Sequence, residues 1–217
     1  MGRCPPAALS ILIVNKMTKI HLIRHGETEW NAKGRLQGHK DSPLTQLGKA
    51  QAQKVKNSIT EKIDIAYSSP SNRAIETAQI ILNGANQPIK TTPELKEINL
   101  GVWEGKRKEE VVAEYPDEYK AFWNNPSKFL LDQAETFEDL QNRVIKAVLE
   151  ILKIEDGKTV LLVSHHTPIK IILSYFENRP IDKIWDPPFV GNGSHSIIEK
   201  TCDGQIKIVS YSGLLEW

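Results

Sequence analysis

The stretch Thr159–Val163 (TVLLV) constrains the fold more than any other part of the chain. It carries no charge and no polar alternation, so as a strand it must be covered on both faces, the condition of a parallel sheet with helices on either side. It ends at Ser164-His165-His166, and Thr167-Pro168 opens a helical pattern that is apolar at Ile169, Ile171, Ile172, Leu173 and Phe176. Ile20–Ile23 behaves in the same way. Its apolar residues Ile20, Leu22 and Ile23 break into Arg24-His25-Gly26. Buried parallel strands ending on polar residues at one sheet edge are where open α/β folds place their chemistry.

The remaining pattern agrees with this class. Thr45 is a candidate N-cap for a helix through about Ile59, and Asp64–Ser68 reads as a short strand. Ser69-Pro70 is expected to open a helix whose apolar face is Ala74, Ala78, Ile81 and Leu82. Residues 88–92 read as an edge strand. Phe137, Leu140, Val144, Ala147, Val148 and Ile151 fall at helical spacing behind a Thr136 cap. Residues 194–200 and 205–210 flank Asp203-Gly204 as an antiparallel pair. The expected architecture is α/β: a three-layer helix–sheet–helix sandwich with a mostly parallel central sheet.

At 217 residues the chain can bury one full core. Its net charge of +1 supplies no global field for nucleic acid or an anionic membrane, so attraction for phosphate must be local. Two cysteines, Cys4 and Cys202, are too few for a disulfide framework, which suits a reducing cytosol. Residues 1–17 read as a leader or extension. Their apolar part, Ile11–Val14, is too short to span a bilayer, and no small-residue cleavage site follows it. Residues 18–217 read as a single domain, with the aromatic and charged segment 101–134 as a covering subdomain. The oligomeric state is open.

Four junctions carry candidate chemistry. A guanidinium beside an imidazole disfavours two charges, so Arg24-His25 favours a neutral, nucleophilic His25, and Gly26 allows a tight turn. Arg24 suits bidentate grip of a phosphoryl group. Arg73 falls in the first turn of its helix, where free N–H groups and the dipole already favour an anion. His165 ends the second buried strand and can share the sheet edge with His25. Glu97, in Leu95-Lys96-Glu97-Ile98-Asn99-Leu100-Gly101, leaves the edge strand close by. Held near phosphate and partly desolvated, it would have a raised pKa and serve as proton donor to a leaving alkoxide, then as base toward water. Glu94 and Glu104 are its neighbours and rivals. Each of these residues taken singly would be ordinary: a solvated arginine, a packed histidine, a solvated carboxylate.

Together the motifs resemble the histidine phosphatase superfamily, also called phosphoglycerate mutase-like. The matching pieces are Leu22-Ile23-Arg24-His25-Gly26-Glu27-Thr28 with Trp30-Asn31, Gln37-Gly38, and Asp41-Ser42-Pro43-Leu44-Thr45. They continue with Ser68-Ser69-Pro70, Arg73-Ala74, Thr77-Ala78, Leu95-Lys96-Glu97, Trp103-Glu104-Gly105 and Val163-Ser164-His165. They span residue 20 to about 200. The resemblance implies phosphomonoester hydrolysis through a phosphohistidine on His25, with Glu97 as acid and then base. It implies a phosphate pocket of Arg24, Arg73 and His165, with Asn31, Gln37 and Gly38 as lesser contributors, and no metal or other cofactor. The partner is then a small-molecule phosphate ester.

Two positions depart from the family pattern. His166 stands where glycine commonly follows the second histidine, and Ala134-Glu135-Thr136 replaces Gly-Glu-Ser. Trp103-Glu104-Gly105 and Ile184-Trp185-Asp186-Pro187-Pro188 are most similar to the broad-specificity phosphatases of the PhoE kind, and the aromatic residues of 101–134 favour apolar or bulky leaving groups. Alternatives are a cofactor-dependent phosphoglycerate mutase, or a more specific phosphatase for α-ribazole phosphate or fructose 2,6-bisphosphate. Others are a metallohydrolase using His25, His165, His166 and His195, and a non-catalytic phosphopeptide- or nucleotide-binding module. Lys106-Arg107-Lys108 followed by Glu109-Glu110 leaves no excess of positive charge for a second phosphate, which favours hydrolysis over mutase chemistry.

Overall fold

A computed structural model describes residues 17–84 and 87–211, so the expected leader lies outside the described residues except for Met17. In chain order the elements are β1 (Thr18–Arg24), α1 (Glu29–Ala32), α2 (Gln46–Ser58), β2 (Ile65–Ser68) and α3 (Asn72–Leu82). There follow β3 (Ile89–Thr91), α4 (Lys108–Glu114), α5 (Pro116–Asn124), α6 (Phe137–Ile154), β4 (Thr159–Ser164), α7 (His166–Phe176), β5 (His195–Lys200) and β6 (Ile206–Ser210).

The six strands form one sheet in the order β3-β2-β4-β1-β5-β6. The first four run parallel, and β5 and β6 add an antiparallel flank. Alternate residues of the two central strands feed opposite layers. Ile20, Leu22, Val160 and Leu162 pack against α6 and α7, while Ile23, Leu161 and Val163 pack against the α2/α3 side with Val55, Ala74 and Ala78. This is the three-layer sandwich that the two apolar strands required. It opens the carboxyl ends of β1, β2 and β4 on one edge.

The α3 helix begins later than its sequence suggests. Ser71, not Ser69, is the cap residue, and it makes no side-chain cap bond. Ser69 is drawn instead toward a histidine at the sheet edge. The caps at Thr45 and Thr136 are as expected, each hydroxyl accepting from a backbone N–H three residues on.

Residues 101–134 pack around Trp103, which is 1% exposed and lies within 5.4–6.4 Å, ring to ring, of Tyr115, Tyr119, Phe122 and Phe129. Part of the aromatic content is therefore core, while Trp123 remains exposed. No helix among the described residues is long and apolar enough to cross a membrane.

Gly26 departs from its expected role. Its φ is not in the left-handed region, so no turn demands it. A Cβ there would sit 2.2 Å from the carbonyl oxygen of Gly48 in α2, and a Cβ on Gly48 would sit 2.1 Å from the carbonyl oxygen of Glu27. The two glycines let the loop after β1 lie directly on the start of α2. Gly26→Ala is expected to destabilise the fold by about 1–3 kcal/mol through overpacking, read as a lower urea midpoint at unchanged slope.

Candidate active site

His25 is fixed as a particular tautomer. Its backbone continues the β1–β4 ladder, with the His25 N–H donating to the Ser164 carbonyl (3.0 Å). Its side-chain Nδ1 lies 2.7 Å from the Gly26 carbonyl oxygen. A carbonyl can only accept, so Nδ1 carries the proton and Nε2 carries the lone pair. Arg73 Nε donates toward that lone pair at 3.3 Å.

The imidazole is 3% exposed, and its pKa is pushed well below the usual histidine value. Burial is the largest cause, followed by the charge of Arg73 and then that of Arg24. The sequence neighbour thus contributes least of the three. Neutrality comes mainly from the fold.

Arg24 and Arg73 approach from different junctions. Arg24 Nη1 donates to the Val190 carbonyl (2.8 Å), and burial lowers its pKa to about 10, which leaves it charged at neutral pH. Arg73 is 1% exposed in the first turn of α3. Its Nη1 donates to the Lys40 carbonyl (2.7 Å) and to Asp41 Oδ1 (2.8 Å), and its Nη2 donates to the Gly38 carbonyl (3.0 Å). Gly38, at φ +54, lies against the Glu104 carboxylate, which accepts from the His39 and Lys40 N–H groups (2.7 and 3.2 Å). Glu104 is thus occupied in holding the loop that holds Arg73, which separates it from Glu97.

His165 is fully buried, with its ring centroid 5.1 Å from that of His25 and its Nε2 2.8 Å from Ser69 Oγ. Its Nδ1 has no hydrogen-bond partner among the described residues. Glu97 Oε1 accepts from its neighbour Ile98 N–H (2.9 Å) and from Thr167 N–H (3.2 Å) in the first turn of α7. The cavity lined by Arg24, His25, Arg73 and Glu97 holds about 300 Å³. Asn31, Gln37 and Gly38 line it as well. Gln37 Nε2 already donates to Thr28 Oγ1 (2.8 Å), and Asn31 Oδ1 accepts from Thr28 and from Asn192 Nδ2 (3.1 Å).

Several contributors escaped sequence reading. Arg35 lines the cavity, and its Nη1 donates to the Gly105 carbonyl. Asn192 ties Asn31 to the His25 carbonyl, and Gly191-Asn192-Gly193 was the available turn signal. His166 also lines the cavity. Its Nδ1 lies 2.9 Å from the Val190 carbonyl and its ring stacks on Trp185 at 5.6 Å, so it sits at the wall while His165 faces His25. The Trp185 loop is itself held by Lys170, whose buried Nζ donates to the carbonyls of Asp186 (2.5 Å) and Pro188 (3.0 Å). His195 is elsewhere. It pairs with His21 across β5 and β1 at 2.8 Å, so the four-histidine metal set is not assembled. No three His, Cys, Asp or Glu side chains among the described residues are arranged to hold a metal ion.

A family model, "Histidine phosphatase superfamily (branch 1)", matches residues 20–212. The chain belongs to the histidine phosphatase superfamily. This histidine phosphatase is 33% identical over 183 residues to phosphoserine phosphatase 1 of Hydrogenobacter thermophilus, covering 84% of this chain and 86% of that protein. It is 34% identical over 165 residues to a probable phosphoglycerate mutase GpmB of Escherichia fergusonii, covering 76% and 77% of the two chains. Among solved structures, Bacillus stearothermophilus YhfR superposes with a TM-score of 0.86 at 36% identity, over 89% of this chain and 96% of that one. Phosphoserine phosphatase of Entamoeba histolytica, bound to 3-phosphoglyceric acid, gives 0.80 at 31% identity, over 91% and 98%.

The buried imidazoles make a pH prediction. Folded His25, His165 and His166 have pKa values below the unfolded 6.5, and that of His166 is about 3. Below pH 6.5 the unfolded chain therefore binds more protons, so stability falls as the pH drops, while above 6.5 these groups cost nothing. Each contributes a slope of about 1.4 kcal/mol per pH unit between roughly pH 6 and its folded pKa. Urea unfolding of His166→Gln between pH 6 and 4 is expected to show a slope shallower by about that amount.

Proposed function

We propose that this histidine phosphatase hydrolyses phosphomonoesters through a phosphohistidine on His25. The observation that carries the reading is the tautomer. The Nδ1–H is engaged by the Gly26 carbonyl, and the Nε2 lone pair faces the arginine-lined cavity. In the first step Nε2 attacks phosphorus, the P–O ester bond breaks, and the Glu97 carboxylic acid protonates the departing alkoxide. In the second step Glu97 takes a proton from water, the water oxygen attacks phosphorus, the N–P bond breaks, and inorganic phosphate leaves.

Arg24 and Arg73 stabilise charge on the equatorial oxygens, the task that magnesium performs in other phosphoryl transfers. His165 adds a donor if its unpartnered Nδ1 bears the proton. Asn31, Gln37 and the Gly38 loop shape the same wall.

Hydrolysis is favoured over mutase chemistry by the cations available. Of the residues that line the cavity, Arg24, Arg35 and Arg73 are the basic ones, and two of them serve the transferred phosphoryl group. The outer wall is Leu36, Leu100, Phe122, Trp123 and Trp185. Such a wall suits esters with an apolar or aromatic alcohol. Residues 101–134, which supply Leu100's neighbours and the α5 aromatics, act as the cover.

Mixing with substrate and acid-free quenching is expected to trap base-stable, acid-labile phosphate on the wild type and none on His25→Ala. With 3-phosphoglycerate and 2,3-bisphosphoglycerate, phosphate release should outpace isomerisation. Faster isomerisation would overturn the hydrolytic reading. Trp185→Ala is expected to lower kcat/KM for naphthyl phosphate by about 1–2 kcal/mol, chiefly through KM, and to leave phosphoserine turnover nearly unchanged.

A further inference from the structure

Glu97 lies in a stretch that belongs to no strand or α-helix, between a turn at Pro93–Leu95 and another at Gly101–Trp103. Backbone of that kind must find hydrogen-bond partners outside regular secondary structure. Here one side chain takes three of its carbonyls. Arg143, on α6, donates from Nη1 to the carbonyls of Glu94 (2.6 Å) and Lys96 (2.9 Å), and from Nη2 to the carbonyl of Glu97 itself (3.0 Å). Its remaining donors are taken by Glu135, with Nε to Oε1 at 2.5 Å and Nη2 to Oε2 at 2.7 Å.

Glu135 in turn grips the far side of the same stretch. Its Oε2 accepts from Asn99 N–H (3.3 Å), and its own N–H donates to the Asn99 carbonyl (2.9 Å). All five guanidinium donors are therefore used, and residues 94–99 are held on both sides of Glu97. Lysine, with three donors on a single nitrogen, cannot reproduce this planar fork.

We propose that Arg143, locked by Glu135, is the positioning residue for Glu97: it fixes the backbone from which the proton donor reaches the leaving group. The inference rests on the reading of Glu97 as that donor. It differs from a purely structural role in one respect. A misplaced acid slows departure of a poor leaving group and hardly affects a good one, whereas general loss of structure slows both.

Two esters of similar bulk separate these cases: 2-phenylethyl phosphate, whose alkoxide needs protonation, and 4-nitrophenyl phosphate, whose phenolate does not. The measured quantity is the single-turnover rate of phosphohistidine formation. Arg143→Lys is expected to slow this step about 10- to 100-fold with the alkyl ester and less than about threefold with the aryl ester. Glu135→Gln, which keeps the shape and loses the charge, is expected to move the ratio in the same direction by less, and it carries the test if Arg143→Lys does not fold. Glu97→Gln is the reference. If Glu97→Gln slows both esters equally, the reading of Glu97 as acid fails. If Glu97→Gln discriminates between them while folded Arg143→Lys and Glu135→Gln slow both alike, or neither, the positioning role is overturned and Glu97 stands.

Discussion

The 2.7 Å contact between His25 Nδ1 and the Gly26 carbonyl is what the rest of the site depends on. It decides which imidazole nitrogen holds the proton, and therefore which holds the electron pair. That carbonyl is in place because the loop after β1 lies directly on α2, an approach that a side chain at position 26 or 48 would prevent. The side of the His25 ring that holds the lone pair is thus set by the packing of the loop after β1 against the neighbouring α2.

The electrostatics follow from the same burial. Two guanidiniums face a dry imidazole, and the imidazole responds by staying neutral. Arg73 is held by the carbonyls of residues 38 and 40 and by Asp41, and Glu104 pins that loop from outside. The Arg73 guanidinium is consequently fixed in place by the protein's own acceptors. Glu97 is handled in the same way from the other side of the cavity, with its carboxylate on the start of α7 and its backbone on Arg143.

The outer cavity is built by a different device. Trp185 is carried on a loop whose carbonyls are held by Lys170 and Arg179, and its indole Nε1 donates to the Phe122 carbonyl (2.6 Å). Residue 166, a departure from the family pattern, stacks beneath it. The outer part of the cavity is therefore assembled from segments far apart in the chain.

The sequence by itself determined the layer order and which strand ends share one edge of the sheet. Uncharged strands such as Thr159–Ser164 can be buried only between two helical layers, and their ends must then share an edge, so His25, Arg73 and His165 were legible as neighbours. What it left open is whatever depends on contacts between distant segments. Along the chain a neutral His25 follows from Arg24 next door, yet burial and Arg73 outweigh that neighbour. Gly26 reads as a turn residue along the chain and is a point of close approach in the fold. The start of α3 lies at Ser71 rather than Ser69, whose hydroxyl also meets His165, ninety-six residues on. Glu94 and Glu104 stand as rivals to Glu97 along the chain, and Arg143 and Asn192 carry no periodic signal at all, because a hydrogen bond to an irregular backbone leaves no pattern there. Periodicity records which face of an element is buried; tertiary structure alone decides which atoms meet there.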